Sequence, residues 1–296
     1  MVDAWQKSVV EHNVTPDEGQ CIEVLHTAGR YGLTDLALHA LQMIHTMEAP
    51  IQEYHLVPIL DAFCKHRMLK DAFSIVNLMR SNGINLTQET VVPILTCINH
   101  DVDEVDRAWA QLEKMHKDGK PVDVVSLNVI VQAATQLGDL QRAVGTYKAF
   151  PDLGVKPSVA TFNIILSGCI SASHRELGDK MLEELRAENL VPDAQTFERV
   201  ILLCLTQTTY EDAFFYLEEM KGRGHPPPLS VYEALVKKCV VSGDARWKLA
   251  LDELRESGYR VSRYLQHFVD TGGRLSDRVR WLPQASNGAG GRENVQ

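Results

Sequence analysis

The sequence predicts an all-α solenoid of about seven tandem helix-turn-helix units, each ~35 residues long. Three observations carry that prediction. First, a small residue is followed seven positions later by a large apolar one. The pairs are Ala37 and Ile44, Ala72 and Met79, Ala108 and Met115, Ala143 and Phe150, Gly178 and Leu185, and Ala213 and Met220. Trp247 and Leu254 close the series, with successive steps of 35, 36, 35, 35, 35 and 34 residues. Second, apolar residues upstream of each pair fall at i, i+3, i+4 and i+7, one stripe of a helix, with no comparable strand-like alternation. Third, Gly83, Gly119, Gly154, Gly224 and Gly258, with Asn189 in the same slot, stand four residues beyond the large-residue column. Gly and Asn accept the left-handed conformation that ends a helix.

Taken in order, residues 1–17 read as the second half of a unit, because Val2 and Val9 stand 35 residues before Ala37 and Ile44. The chain is therefore expected to be truncated at its N-terminus, and the lack of a targeting segment in it carries little weight. Seven units follow, at 18–52, 53–87, 88–123, 124–158, 159–193, 194–228 and 229–262. Their first helices show stripes such as Leu56, Ile59, Leu60, Phe63 and Phe162, Ile165, Leu166, Cys169. Polar turns such as Gly138-Asp139 lead into second helices, where Ala or Gly lets neighbouring helices approach closely. Pro157, Pro192 and Pro227 mark where the second helix cannot continue. Residues 263–283 read as a degenerate capping pair, and the Gly/Asn/Ser-rich segment 284–296 as a disordered tail.

Composition narrows the chemistry. The chain has 296 residues, 45% hydrophobic, and a net charge of −9, so it lacks the basic signature of a non-specific nucleic-acid binder. No stretch approaches the ~18 apolar residues of a membrane span. Cys169, Cys204 and Cys239 recur at 35-residue spacing, as reduced packing residues would. The run Asp101, Asp103, Glu104, Asp106 lacks the Gly and closing Glu of a calcium loop, and its place between two helices suits N-terminal capping. No phosphate loop, nucleophile elbow or metalloprotease pair occurs. Catalysis, metals and cofactors are therefore not expected.

The tetratricopeptide pattern of Trp, Leu-Gly and Tyr is absent. Present instead are Leu127-Asn128 and Phe162-Asn163 opening first helices, and the run from Val159-Ala160-Thr161-Phe162-Asn163 to Val191-Pro192-Asp193. On these residues the chain resembles the pentatricopeptide repeat family over roughly 18–262, most closely over 124–228. The style of the N-terminal repeats is similar to fungal mitochondrial members. The resemblance implies a right-handed superhelix with single-stranded RNA in its groove, one base per repeat. It also implies a mitochondrial matrix location.

In the family the fifth and last residues of a repeat read the base, and a small apolar second residue packs on it. Carried over, Asn128 with Ser158 would read a pyrimidine, leaning to cytosine, and Asn163 with Asp193 one leaning to uracil. Val125 and Ala160 would sandwich the base read by Asn128. The other pairs depart from the pattern: Ile22 with Gln52, Val57 with Thr87, Val92 with Asp123, Glu198 with Pro228, and Glu233 with Arg263. Arg30, Lys65 and His100 share a slot late in the first helix and are candidate phosphate contacts; solvated surface charge is the plain alternative.

The expected function is a non-catalytic adaptor that binds organellar single-stranded RNA and supports its stability, processing or translation. The competing expectation is a protein-binding scaffold, such as an assembly factor for a mitochondrial respiratory or ribosomal complex. The acidic charge and the missing code in five of seven repeats favour that alternative.

Overall fold

A computed structural model describes residues 2–273. The distal part of the expected cap, 274–283, and the expected tail, 284–296, lie outside the described residues. Every regular element among the described residues is helical. Helix α1 (Val2–Trp5) runs into a π-helical turn, Gln6–Glu11. Helix pairs follow: α2 (Glu18–Tyr31) with α3 (Thr34–Thr46), α4 (Glu53–Lys65) with α5 (Leu69–Ser81), α6 (Val92–Ile98) with α7 (Val102–Lys117), and α8 (Val124–Gln136) with α9 (Leu140–Lys148). Then come α10 (Val159–Ala172), α11 (Arg175–Ala187), α12 (Ala194–Thr206) with α13 (Glu211–Gly222), α14 (Leu229–Val241) with α15 (Trp247–Glu256), and α16 (Arg263–Asp270).

The chain forms two compact units, one ending at Thr161 and one starting at Phe162. In the first unit the first helices make one layer: α2 packs on α4, α4 on α6 and α6 on α8. Second helices pack outside them, α3 on α2 and α4, and α7 on α6 and α8. In the second unit α12 packs on α14 and α14 on α16, with α13 and α15 behind their own partners.

Burial follows the sequence columns. Ala37, Ala72, Ala108, Ala143 and Ala213 are all buried, as are Ile44, Met79, Met115, Phe150, Leu185, Met220 and Leu254. Trp247, where the small column fails, is only half-buried. All six cysteines are free and buried. Burial pushes the Cys169 and Cys204 thiols up to about 12, so they stay protonated and pack as small apolar groups.

Close helix approach is most explicit at Gly29. A Cβ there would lie 2.6 Å from the Pro58 carbonyl oxygen, on the backbone of the neighbouring α4. Pro58 sits inside α4, whereas Pro93, 35 residues on, stands in the first turn of α6. A first turn has no use for the missing N–H, so Pro93 fits there and α6 starts late.

Left-handed residues end the second helices as the spacing predicts, from Gly83 at φ 73° to Gly258 at φ 83°, with Asn189 at φ 57°. The first repeat has Glu48 in this slot, at φ 56°. A Cβ makes that conformation costly.

A column of ion pairs ties the starts of second helices to their neighbours. Glu104, buried, is held by Arg67 and by Arg107 at 2.8 Å. Asp106 accepts from Arg142. In the second unit Arg175 binds Asp212 at 2.8 Å, and Arg246 binds Glu211 at 2.6 Å. The acidic run read as capping thus does two jobs: Asp101 caps α7 through the Asp103 N–H at 3.1 Å, and its followers bridge repeats.

Two substitutions test this packing in urea unfolding. Gly29→Ala forces backbone apart and should destabilise by about 1–3 kcal/mol. Glu48→Gly should stabilise by about 1 kcal/mol, since Gly carries no Cβ penalty at positive φ.

Candidate nucleic-acid interface

Several first helices begin on a side chain that closes their first turn, whereas α14 begins after Pro228 with no side-chain cap. Asp17 accepts from the Gln20 N–H at 2.7 Å, Asp123 from Ser126 at 2.6 Å and Asp193 from Thr196 at 2.8 Å. Free N–H groups at a helix start need such partners. The capping position is the last residue of the preceding repeat, the slot expected to hold the second member of each reading pair. At the end of the array the cap is Ser262, which accepts from the Leu265 N–H at 3.1 Å. The slot assigned by spacing to Arg263 therefore falls one residue earlier, because the last repeat is shorter than the 35-residue frame.

In the second unit Asn163 and Asp193 meet. The Asn163 Nδ2 donates to Asp193 Oδ1 at 3.1 Å, and Asn163 is 3% exposed. Asp193 Oδ1 also accepts from the Thr196 hydroxyl at 2.9 Å. The Asn163 Oδ1 is buried and has no hydrogen-bond partner. Such a group costs about 1–3 kcal/mol until a donor reaches it. Burial alone would raise the Asp193 pKa. The Thr196 N–H, the Asn163 amide, the Thr196 hydroxyl and the Arg199 guanidinium outweigh it and hold the carboxyl below its usual range. Asp193 is therefore an acceptor only at neutral pH.

In the first unit Asn128 and Ser158 are not directly bonded. Asn128, 1% exposed, accepts at Oδ1 from the Thr161 hydroxyl at 2.7 Å. Thr161 in turn accepts from the Ser158 N–H at 3.0 Å. Val125 and Ala160 are both half-buried.

Arg30, Lys65 and His100 are exposed. Arg30 and Lys65 share the lining of a cavity of about 620 Å³ with Tyr54 and Val57, and His100 does not. The Lys65 ammonium donates to the Arg30 carbonyl and lies 3.9 Å from Asp61, so it is already engaged within the array. Several departing reading slots are engaged too. Glu198 accepts from the Ser230 hydroxyl, Glu233 pairs with Lys237 at 3.1 Å, and Asp123 pairs with Arg80.

Sequence reasoning missed Thr161 and Thr196, both buried hydroxyls against the Asn amide or its partner. The spacings Ser158-x-x-Thr161 and Asp193-x-x-Thr196 are the signal that could have found them, since the third helical residue commonly completes a capping box. Among the described residues no group of His, Cys, Asp and Glu could hold a metal ion. No described helix is long and apolar enough to cross a membrane.

A family model described as pentatricopeptide repeat-containing protein matches residues 18–150. A chloroplastic pentatricopeptide repeat-containing protein of Arabidopsis thaliana is 24% identical over 137 residues, 45% of this chain and 18% of that protein. The crystal structure of the pentatricopeptide repeat protein PPR10 from maize superposes with a TM-score of 0.50 at 20% identity, covering 84% of this chain and 36% of the maize chain. PPR10 in complex with an 18-nt psaJ RNA element gives a TM-score of 0.43 at 19% identity, covering 84% of this chain and 40% of that one. In family model, sequence and all-α solenoid fold, this chain is similar to pentatricopeptide repeat proteins. The family model matches the N-terminal repeats and overlaps only the start of 124–228, where the motif residues are nearest the consensus. The chain spans less than a fifth of the curated relative's length.

The mitochondrial matrix location expected from the resemblance is corrected by these findings. The curated relative is chloroplastic, which points to an organelle and not to the mitochondrion in particular. Helix packing carries no compartment address, so nothing in the repeat columns could have supplied one.

A depressed carboxylate pKa adds stability that is fully present above the unfolded value and is lost as pH falls through the folded value. Asp193→Asn should therefore cost about 1 kcal/mol at neutral pH, and the gap to the parent should close as pH falls through the depressed pKa of the folded Asp193 carboxyl. Unfolding midpoints measured from pH 7 down to pH 2 check this.

Proposed function

We propose that this chain is a non-catalytic adaptor that binds single-stranded RNA through its first-helix layer and acts by occupying the transcript. The observation that carries this reading is the buried Asn163 Oδ1 without a partner, beside an amide nitrogen already committed to Asp193. An amide held this way offers an acceptor, which complements the N3–H of uracil. The resemblance to pentatricopeptide repeat proteins supports RNA as the ligand, and maize PPR10 is known in complex with an RNA element. An organellar transcript is the target class supported by the chloroplastic relative. Arg30 and His100 are the candidate phosphate contacts whose side chains make no hydrogen bond or ion pair among the described residues, and Val125 and Ala160 the surfaces against the base.

Competition binding with short single-stranded RNAs at moderate salt tests the reading. Asn128→Ala and Asn163→Ala should each weaken binding to the preferred RNA by about 1–3 kcal/mol. Binding no stronger than non-specific background, unchanged by either substitution, sinks it.

One observation favours a second reading as a protein-binding scaffold. Phe215 on α13 and Leu249 on α15 are each 65% exposed. Large apolar side chains left in solvent at repeat spacing suit a protein partner. Partners recovered with the intact chain should then survive ribonuclease treatment, whereas RNA-dependent partners should be lost.

A further inference from the structure

We infer that the Thr161 hydroxyl sets the base preference at Asn128, by fixing which end of the Asn128 amide is free. The inference rests on the RNA reading above and names a specificity-determining residue for it.

A hydroxyl has one proton to give and two lone pairs to fill. Thr161 is fully buried and fills one lone pair with the Ser158 N–H at 3.0 Å. Its proton has two acceptors in reach, Asn128 Oδ1 at 2.7 Å and the Ser158 hydroxyl at 3.4 Å. The shorter contact takes it, because it lies within the usual ~2.5–3.0 Å range of an O–H···O hydrogen bond and the longer one does not. The Asn128 oxygen is therefore turned onto Thr161, and the amide nitrogen, a donor, is the end left to meet a base. A donor complements the N3 acceptor of cytosine and meets the N3–H of uracil donor to donor.

Thr196 occupies the equivalent place in the second unit and behaves differently. It accepts from the Asp193 N–H at 3.2 Å, but its proton goes to Asp193 Oδ1 at 2.9 Å. The carboxylate accepts both that proton and the Asn163 amide nitrogen, so Asn163 is turned the other way, with its oxygen left over. Both threonines thus complete the first turn of a helix, yet only Thr161 touches the reading amide. Ser158 acts on Asn128 at second hand, by leaving the Thr161 proton without a carboxylate to attract it.

Selection from random-sequence RNA on the full chain, followed by sequencing of the bound fraction, tests this with three variants. The parent is expected to enrich a motif with one cytosine-preferring and one uracil-preferring position. Thr161→Val should erase a cytosine-over-uracil preference of about tenfold, the scale of one directional base contact, and leave the uracil position intact. Thr161→Ser keeps the hydroxyl and should keep the preference. Thr90→Val removes the same kind of buried third-position hydroxyl, one that accepts from the Thr87 N–H at 3.1 Å and bonds neither Asn amide, and should leave both preferences in place. Far-ultraviolet melting checks that each variant folds; Thr161→Ala replaces Thr161→Val if the latter does not. Cytosine preference retained without the Thr161 hydroxyl overturns the inference alone. Parallel loss of the cytosine preference in Thr161→Val and Thr90→Val also overturns it, since both hydroxyls would then act only on folding. No enriched motif in the parent overturns the RNA reading itself.

Discussion

No helix pair in this chain can cover its own apolar face, and every other feature depends on that constraint. A first-helix stripe such as Leu56, Ile59, Leu60 and Phe63 is buried only because helices before and after it close over it. Close approach requires a small residue at the crossing. Gly29 against Pro58 and Gly178 against Leu203 show how little room is left. Each repeat therefore borrows stability from its neighbours, and a defect at one crossing weakens the interfaces on either side.

The borrowing extends to hydrogen bonds. The first turns of several first helices are closed by a residue counted in the previous repeat, such as Asp123 and Asp193, and the starts of second helices are tied by ion pairs between repeats. This gives a structural reason for Asp and Ser at the ends of repeats, independent of any ligand. The end-of-repeat residue is first a cap. Whether it also influences recognition depends on what else its side chain reaches: the Asp193 carboxylate reaches Asn163, whereas the Ser158 hydroxyl meets only the Thr161 hydroxyl, at 3.4 Å.

Most of the fold was legible in the sequence because packing imposes a period. The Ala, Met and Cys columns, the left-handed Gly slots and the helical stripes all follow from which residue types fit a repeated crossing. Local departures were less legible. Glu48 was invisible as a left-handed residue because its identity gives no hint of positive φ, and Ser262 takes the final cap because the last repeat is one residue shorter than the 35-residue frame. The candidate site was legible only as a set of positions. Which end of Asn128 or Asn163 is occupied depends on hydroxyl and carboxylate neighbours on a different helix, at distances no spacing rule contains. The compartment was not legible at all, since it was carried by resemblance and not by any packed residue.

The contact between Thr161 and Asn128 crosses the conventional boundary of the repeat. Asn128 and Ser158 lie within 124–158, while Thr161 lies in the next unit. A cassette cut at residues 124 and 158 and moved into another array would carry the reading amide and Ser158 but leave the orienting hydroxyl behind. In its new setting the amide would take its polarity from whatever stands at the third position of the following repeat. Modules of this kind are thus not self-contained letters, and the natural unit of exchange extends one helical turn past the 35-residue period.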